Sequence, residues 1–99
     1  MYNAIGLAEF EQLQKTAELR IIDVREADEF AAGHIPNSKN LPLSKIQIGA
    51  FDLAQGPEYY LICQAGGRSA MAGQILAEAG HTVVNVLGGM SAWRGTVEG

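Results

Sequence analysis

Apolar positions along the chain alternate between two patterns. Arg20-Ile21-Ile22-Asp23-Val24, Tyr59-Tyr60-Leu61-Ile62 and Thr82-Val83-Val84-Asn85-Val86-Leu87 lack polar alternation and read as strands, the first two buried on both faces. Between them the spacing turns helical. Leu7, Phe10, Leu13 and Ala17 recur on one side, with Glu9, Glu11 and Gln12 on the other. Ala27, Phe30 and Ala31 predict a short helix from Glu26 to Ala32, closed by Gly33. Leu43, Ile46, Ala50 and Leu53 predict another, which Gly49 weakens by about 1 kcal/mol relative to alanine. From Ser69, Ala72, Ile75, Leu76 and Ala79 mark a longer helix that Gly80 is placed to end. Ala4 and Ile5 suggest an edge strand. The prolines of His34 to Pro42 exclude regular helix there and leave room for a brief polar strand at Ser38 to Asn40. Gly88-Gly89 breaks the last strand, Met90 to Trp93 starts a final helical turn, and Gly95 to Gly99 is expected to fray.

Strands that alternate with helices in this order predict an α/β fold: a three-layer open sheet of about five mainly parallel strands, with helices on both faces. The 99 residues suit one domain spanning 1–99. In such sheets the working groups gather at the carboxyl ends of the strands. Cys63 ends one predicted strand and Asp23 lies at or near the end of another.

Composition narrows the function. A net charge of −4 and a pI near 5.0 argue against nucleic acid or an anionic membrane as partner. A single cysteine excludes an internal disulfide and cannot alone build a zinc site. The N-terminus shows no secretory pattern and no apolar run approaches a membrane span, so the expected location is cytoplasmic.

That cysteine has an unusual address. Most lone cysteines in small intracellular chains are packing residues. Cys63, however, stands at a strand end and is followed by Gln64-Ala65-Gly66-Gly67-Arg68-Ser69 and then a helix. Gly66 and Gly67 accept positive φ and leave backbone N–H groups uncovered. The donors and positive dipole end of the following helix, with Arg68 nearby, would stabilise a thiolate. Thiols in such settings reach pKa values of roughly 3.5 to 7.5. These features mark Cys63 as a nucleophile.

Three blocks of the sequence resemble the rhodanese-homology family. Asp23-Val24-Arg25, Glu29-Phe30, Gly33-His34-Ile35-Pro36 and Asn40-Leu41-Pro42 resemble its first signature. Cys63 to Ser69 match its active loop, and Leu87-Gly88-Gly89-Met90-Ser91-Ala92-Trp93 resemble its closing signature. Asn37 departs from the pattern where a glycine is common. Gln64 and Ala65 stand where members that favour thiosulfate often carry a basic side chain. The resemblance implies a five-stranded parallel sheet with the cysteine strand central. It also implies sulfur transfer: Cys63 takes the outer sulfur of a donor such as thiosulfate as a persulfide and yields it to cyanide or a thiol. The loop N–H groups from Gln64 to Ser69 would bind the anionic sulfur, and no cofactor or metal is required. A monomer is expected, with small sulfur donors and acceptors as partners. A persulfide carrier in a protein sulfur relay, or a sensing module, is the alternative. Cysteine phosphatases use a similar loop with five residues between cysteine and arginine. Here there are four, a cradle sized for one sulfur.

Supporting roles are less determined. Arg68 either holds the donor or braces the loop, and the sheet order implied by the resemblance, which makes the strands ending near Asp23 and Cys63 neighbours, favours bracing through an ion pair with Asp23. Asp23 would otherwise cap the helix beginning near Glu26. Arg25 and Glu29, four apart, would on one helical face form a modest pair, worth ~0.3–0.5 kcal/mol if exposed. His34 reads as a structural hydrogen-bonder and His81 as a surface residue. Met90 and Trp93 are expected to pack the last helix onto the sheet.

Overall fold

A computed structural model describes residues 2–99. The elements in chain order are β1 (Asn3–Ile5), α1 (Leu7–Thr16), β2 (Arg20–Asp23), α2 (Ala27–Ala32), β3 (Lys39–Asn40), α3 (Leu43–Gln47), β4 (Glu58–Ile62), α4 (Gly67–Glu78), β5 (Thr82–Val86) and α5 (Gly89–Ala92). The five strands form one sheet in the order β1-β5-β4-β2-β3, and every neighbouring pair is parallel. β4 is central. Asp23 lies opposite Ile62, so β2 and β4 end side by side.

Successive strand residues point to opposite faces, which divides the core in two. Ile22, Tyr59, Leu61, Cys63 and Val83 pack on one face with Leu43 and Ile46 of α3 and Ala72 and Leu76 of α4. Ile21, Tyr60, Ile62, Val84 and Val86 pack on the other with Phe10 of α1, and Met90 and Trp93 lie against this second core. That is why the strands carry apolar residues at consecutive positions. Among the described residues no helix is long and apolar enough to cross a membrane.

Several predicted boundaries move. α3 stops at Gln47 because Gly49 adopts φ +74°. Ala50 N–H then donates to Lys45 O and Gly49 N–H to Ile46 O, the paired bonds of a Schellman ending. α4 ends in the same way at Gly80, where His81 N–H donates to Leu76 O. This ending folds His81 back onto the protein. It is only 8% exposed, against Tyr59 and Phe51, and not a surface residue as its sequence context suggests. The C-terminal tail is likewise tied down. Glu98 and His34 exchange backbone hydrogen bonds of 2.8 and 2.9 Å, an isolated bridge that local sequence does not announce. Asn37 takes φ +71°, so the position where glycine is common does need a left-handed residue, a conformation asparagine tolerates.

Candidate active site

All five strands run the same way, so their carboxyl ends share one edge of the sheet. Cys63 follows β4 directly and is 1% exposed. Behind it, the first turn of α5 offers backbone donors that have no intrahelical partner. Met90 N–H donates to Cys63 O at 2.7 Å and Ser91 N–H to Gln64 O at 2.9 Å. This close approach requires Gly89: a Cβ there would sit 2.4 Å from Cys63 O. The closing signature therefore braces the loop from behind.

In front, the chain turns through Gly66 at φ +103° and enters α4. The turn aims Gly66 N–H at Cys63 Sγ, 3.0 Å away, and places Ser69 Oγ 3.3 Å from the same sulfur. Burial pushes the Cys63 thiol up. Its hydrogen bond with the Ser69 side chain and those from the backbone of Ser69, Gly66 and Ala65 outweigh burial, and the net shift is downward. Gln64 and Ala65 are exposed at the rim.

Arg68 forms an ion pair, but its partner is Glu29 and not Asp23. Its two terminal nitrogens lie 2.5 and 2.9 Å from the two Glu29 oxygens. Arg68 holds the Glu29 carboxyl down at about 2, and Glu29 raises Arg68 in turn. Arg68 lies in the first turn of α4 and reaches across to α2, a distance that strand adjacency alone does not convey.

Asp23 is fully buried and takes Arg25 instead. The Arg25 side chain donates to both Asp23 oxygens at 2.8 to 3.1 Å, and its backbone N–H donates to Oδ1 at 3.0 Å. Asp23 therefore does not cap α2. Glu26 holds that N-cap position, with Glu29 accepting its N–H. Nor do Arg25 and Glu29 pair. The remaining Arg25 donors reach Gly33 O at 2.7 Å and Gln64 Oε1 at 3.4 Å, so this residue ties β2, α2 and the loop together. Asn40 adds bonds to Asp23 O and Arg25 O. His34 is structural, with Nδ1 2.8 Å from Phe30 O and its ring stacked on Phe30.

Two roles escape the local sequence. Glu29 reads as a partner of Arg25 and not of Arg68, and Asn85 only as a polar residue in an apolar strand. Ser69 Oγ lies 2.5 Å from Asn85 Oδ1. A groove of about 690 Å³ lined by Arg20, Asn37, Lys39, Asp52 and Tyr59 involves none of the loop residues. Among the described residues no three His, Cys, Asp or Glu side chains converge to hold a metal.

A buried thiol at the carboxyl edge of a parallel sheet, facing the N–H groups of a helix-opening loop, defines an α/β domain whose loop is shaped to stabilise a thiolate. The family described as "Rhodanese-like domain" matches residues 6–96, and the chain belongs to it. YrkF of Bacillus subtilis, named as a candidate sulfur carrier protein, is 38% identical over 96 residues, covering 95% of this chain. The chain spans only 52% of YrkF. YtwF of the same organism, named as a candidate sulfurtransferase, is 40% identical over 85 residues, or 86% of this chain and 82% of YtwF. The crystal structure of a rhodanese-like domain protein from Staphylococcus aureus superposes with a TM-score of 0.87 at 35% identity, covering 97% of this chain and 96% of that one.

Proposed function

We propose that the chain is a sulfurtransferase that moves sulfane sulfur through a persulfide on Cys63. The observation that carries this reading is the Gly66 N–H 3.0 Å from a buried Sγ, whose pKa is shifted downward. With thiosulfate as donor, the Cys63 thiolate attacks the outer sulfur, the S–S bond of thiosulfate breaks, and sulfite leaves with the electron pair. The persulfide Cys63–S–S⁻ then carries the negative charge on its terminal sulfur, where the loop N–H groups can receive it. A thiolate or cyanide attacks that terminal sulfur, forming a new persulfide or thiocyanate, and Sγ departs as the thiolate. No electrons or protons are left over.

A second reading has an observation of its own. Gln64 and Ala65 bring no charge, and Arg68 is occupied by both oxygens of Glu29, so little free positive charge awaits a small dianion. This favours a persulfide-bearing thiol or protein over thiosulfate as donor, the working mode of a sulfur carrier.

Intact mass after thiosulfate treatment tests the first reading, with one added sulfur expected, together with cyanide-dependent thiocyanate formation. Cys63→Ser should abolish both and leave the circular dichroism spectrum unchanged. Turnover by that variant near the parent rate would remove Cys63 from the mechanism. A kcat/KM far higher for a low-molecular-weight persulfide than for thiosulfate would favour the carrier mode.

A further inference from the structure

Asn85 is out of place by composition. It is 4% exposed in β5, between Val84 and Val86, where another aliphatic side chain would meet no desolvation cost. A buried amide is tolerated when hydrogen bonds satisfy it, and the partner recorded for Asn85 is Ser69 Oγ at 2.5 Å. Asn85 pairs in register with Leu61, two residues before Cys63 on β4, and shares the sheet face that packs on α4. Asn85, Ser69 and Cys63 thus form a chain of contacts ending at the sulfur.

Ser69 has one hydroxyl proton and three acceptors within reach: Asn85 Oδ1 at 2.5 Å, Gly66 O at 3.1 Å and Cys63 Sγ at 3.3 Å. While the amide oxygen faces Ser69, that proton is drawn to Asn85, and the Sγ–Oγ contact is satisfied only by a thiol donating to the serine. A half-turn of the amide places NH2 where oxygen was, with almost the same shape. The NH2 then donates to Ser69 Oγ, and the hydroxyl proton is free to point at a thiolate.

We propose that Asn85 is a positioning residue that sets the direction of the Ser69 hydroxyl, accepting from it when Cys63 is a thiol and donating to it when Cys63 is a thiolate. The Cys63 proton itself leaves to solvent. The same arrangement serves the second half of transfer, when Sγ departs from the persulfide and negative charge returns to it. The inference builds on Cys63 as the nucleophile of the proposed transfer.

The test is the pH dependence of Cys63 alkylation by iodoacetamide, which reads the thiolate whether or not sulfur is transferred. Ser69→Ala should raise the midpoint pH. Asn85→Leu should raise it by about half a unit, a roughly threefold loss of alkylation rate below the midpoint. The double variant should titrate like Ser69→Ala alone, because Asn85 acts only through Ser69. Asn85→Val, suited to a strand of valines, is carried in parallel in case leucine overpacks, with circular dichroism as the folding control. An unmoved midpoint in folded Asn85→Leu or Asn85→Val, or shifts that add in the double variant, would overturn the proposal. A parent that gains no sulfur from thiosulfate or from a small persulfide would instead sink the transfer reading, leaving the titration intact.

Discussion

Glu29 does two things with one carboxylate. Its Oε1 accepts the Glu26 N–H at the start of α2, and both oxygens receive Arg68, which offsets that residue's charge beside the loop. Glu29→Gln keeps an oxygen for Glu26 and releases Arg68. Thiosulfate KM should therefore fall, with a smaller change in kcat, in steady-state thiocyanate assays. A raised KM would mean that Arg68 meets the donor only when Glu29 holds it in place. The pH consequence has a definite sign. The folded-state pKa of Glu29 is depressed from 4.5 to about 2, so its contribution to stability is complete above the unfolded value and is lost as pH falls toward 2. Melting temperatures between pH 6 and pH 2.5 should decline less steeply for Glu29→Gln than for the parent.

At the scale of elements, the loop from Cys63 to Arg68 is held between two helix starts. α5 fixes the carbonyl groups of Cys63 and Gln64, and the turn into α4 supplies the Gly66 N–H and Ser69 hydroxyl that face the sulfur. Loop length is then a chemical variable. One glycine inserted between Gly66 and Gly67 would carry Gly66 and Ser69 out of register with each other around Sγ, while Cys63 stays on β4. Sulfur transfer should drop by about 10²-fold, because misplaced donors no longer meet the charged sulfur. Circular dichroism should change little. Transfer at the parent rate would show that loop size does not select the reaction.

Across the whole molecule, the Asp23–Arg25 pair joins the end of β2, the α2 boundary at Gly33, Asn40 of β3 and the loop at Gln64. Removing one member leaves a buried charge unmatched, at a cost of about 3–5 kcal/mol in comparable pairs. That is a large share of the roughly 5–15 kcal/mol that holds a domain folded. Arg25→Met should lower the urea midpoint sharply, and adding Asp23→Ala should recover part of the loss. A double variant less stable than Arg25→Met would mean that the pair's hydrogen bonds, and not its charge balance, carry its value. The order of strands and helices, the burial of β2 and β4 on both faces and the Cys63 loop were all readable from local residues. Apolar period, glycine placement and a cysteine at a strand end are properties of short stretches. Partner choice was not local. Arg68 with Glu29, Asp23 with Arg25, and His34 with Glu98 depend on which elements the crossovers bring together, over separations of up to 64 residues (98 − 34). Even Asp23 and Arg25, two apart, pair because burial at the β2 end leaves each charge no solvent to turn to. The chain alone thus determined the scaffold and the cysteine at its strand end, and tertiary packing decided which charges meet and which groups surround that sulfur.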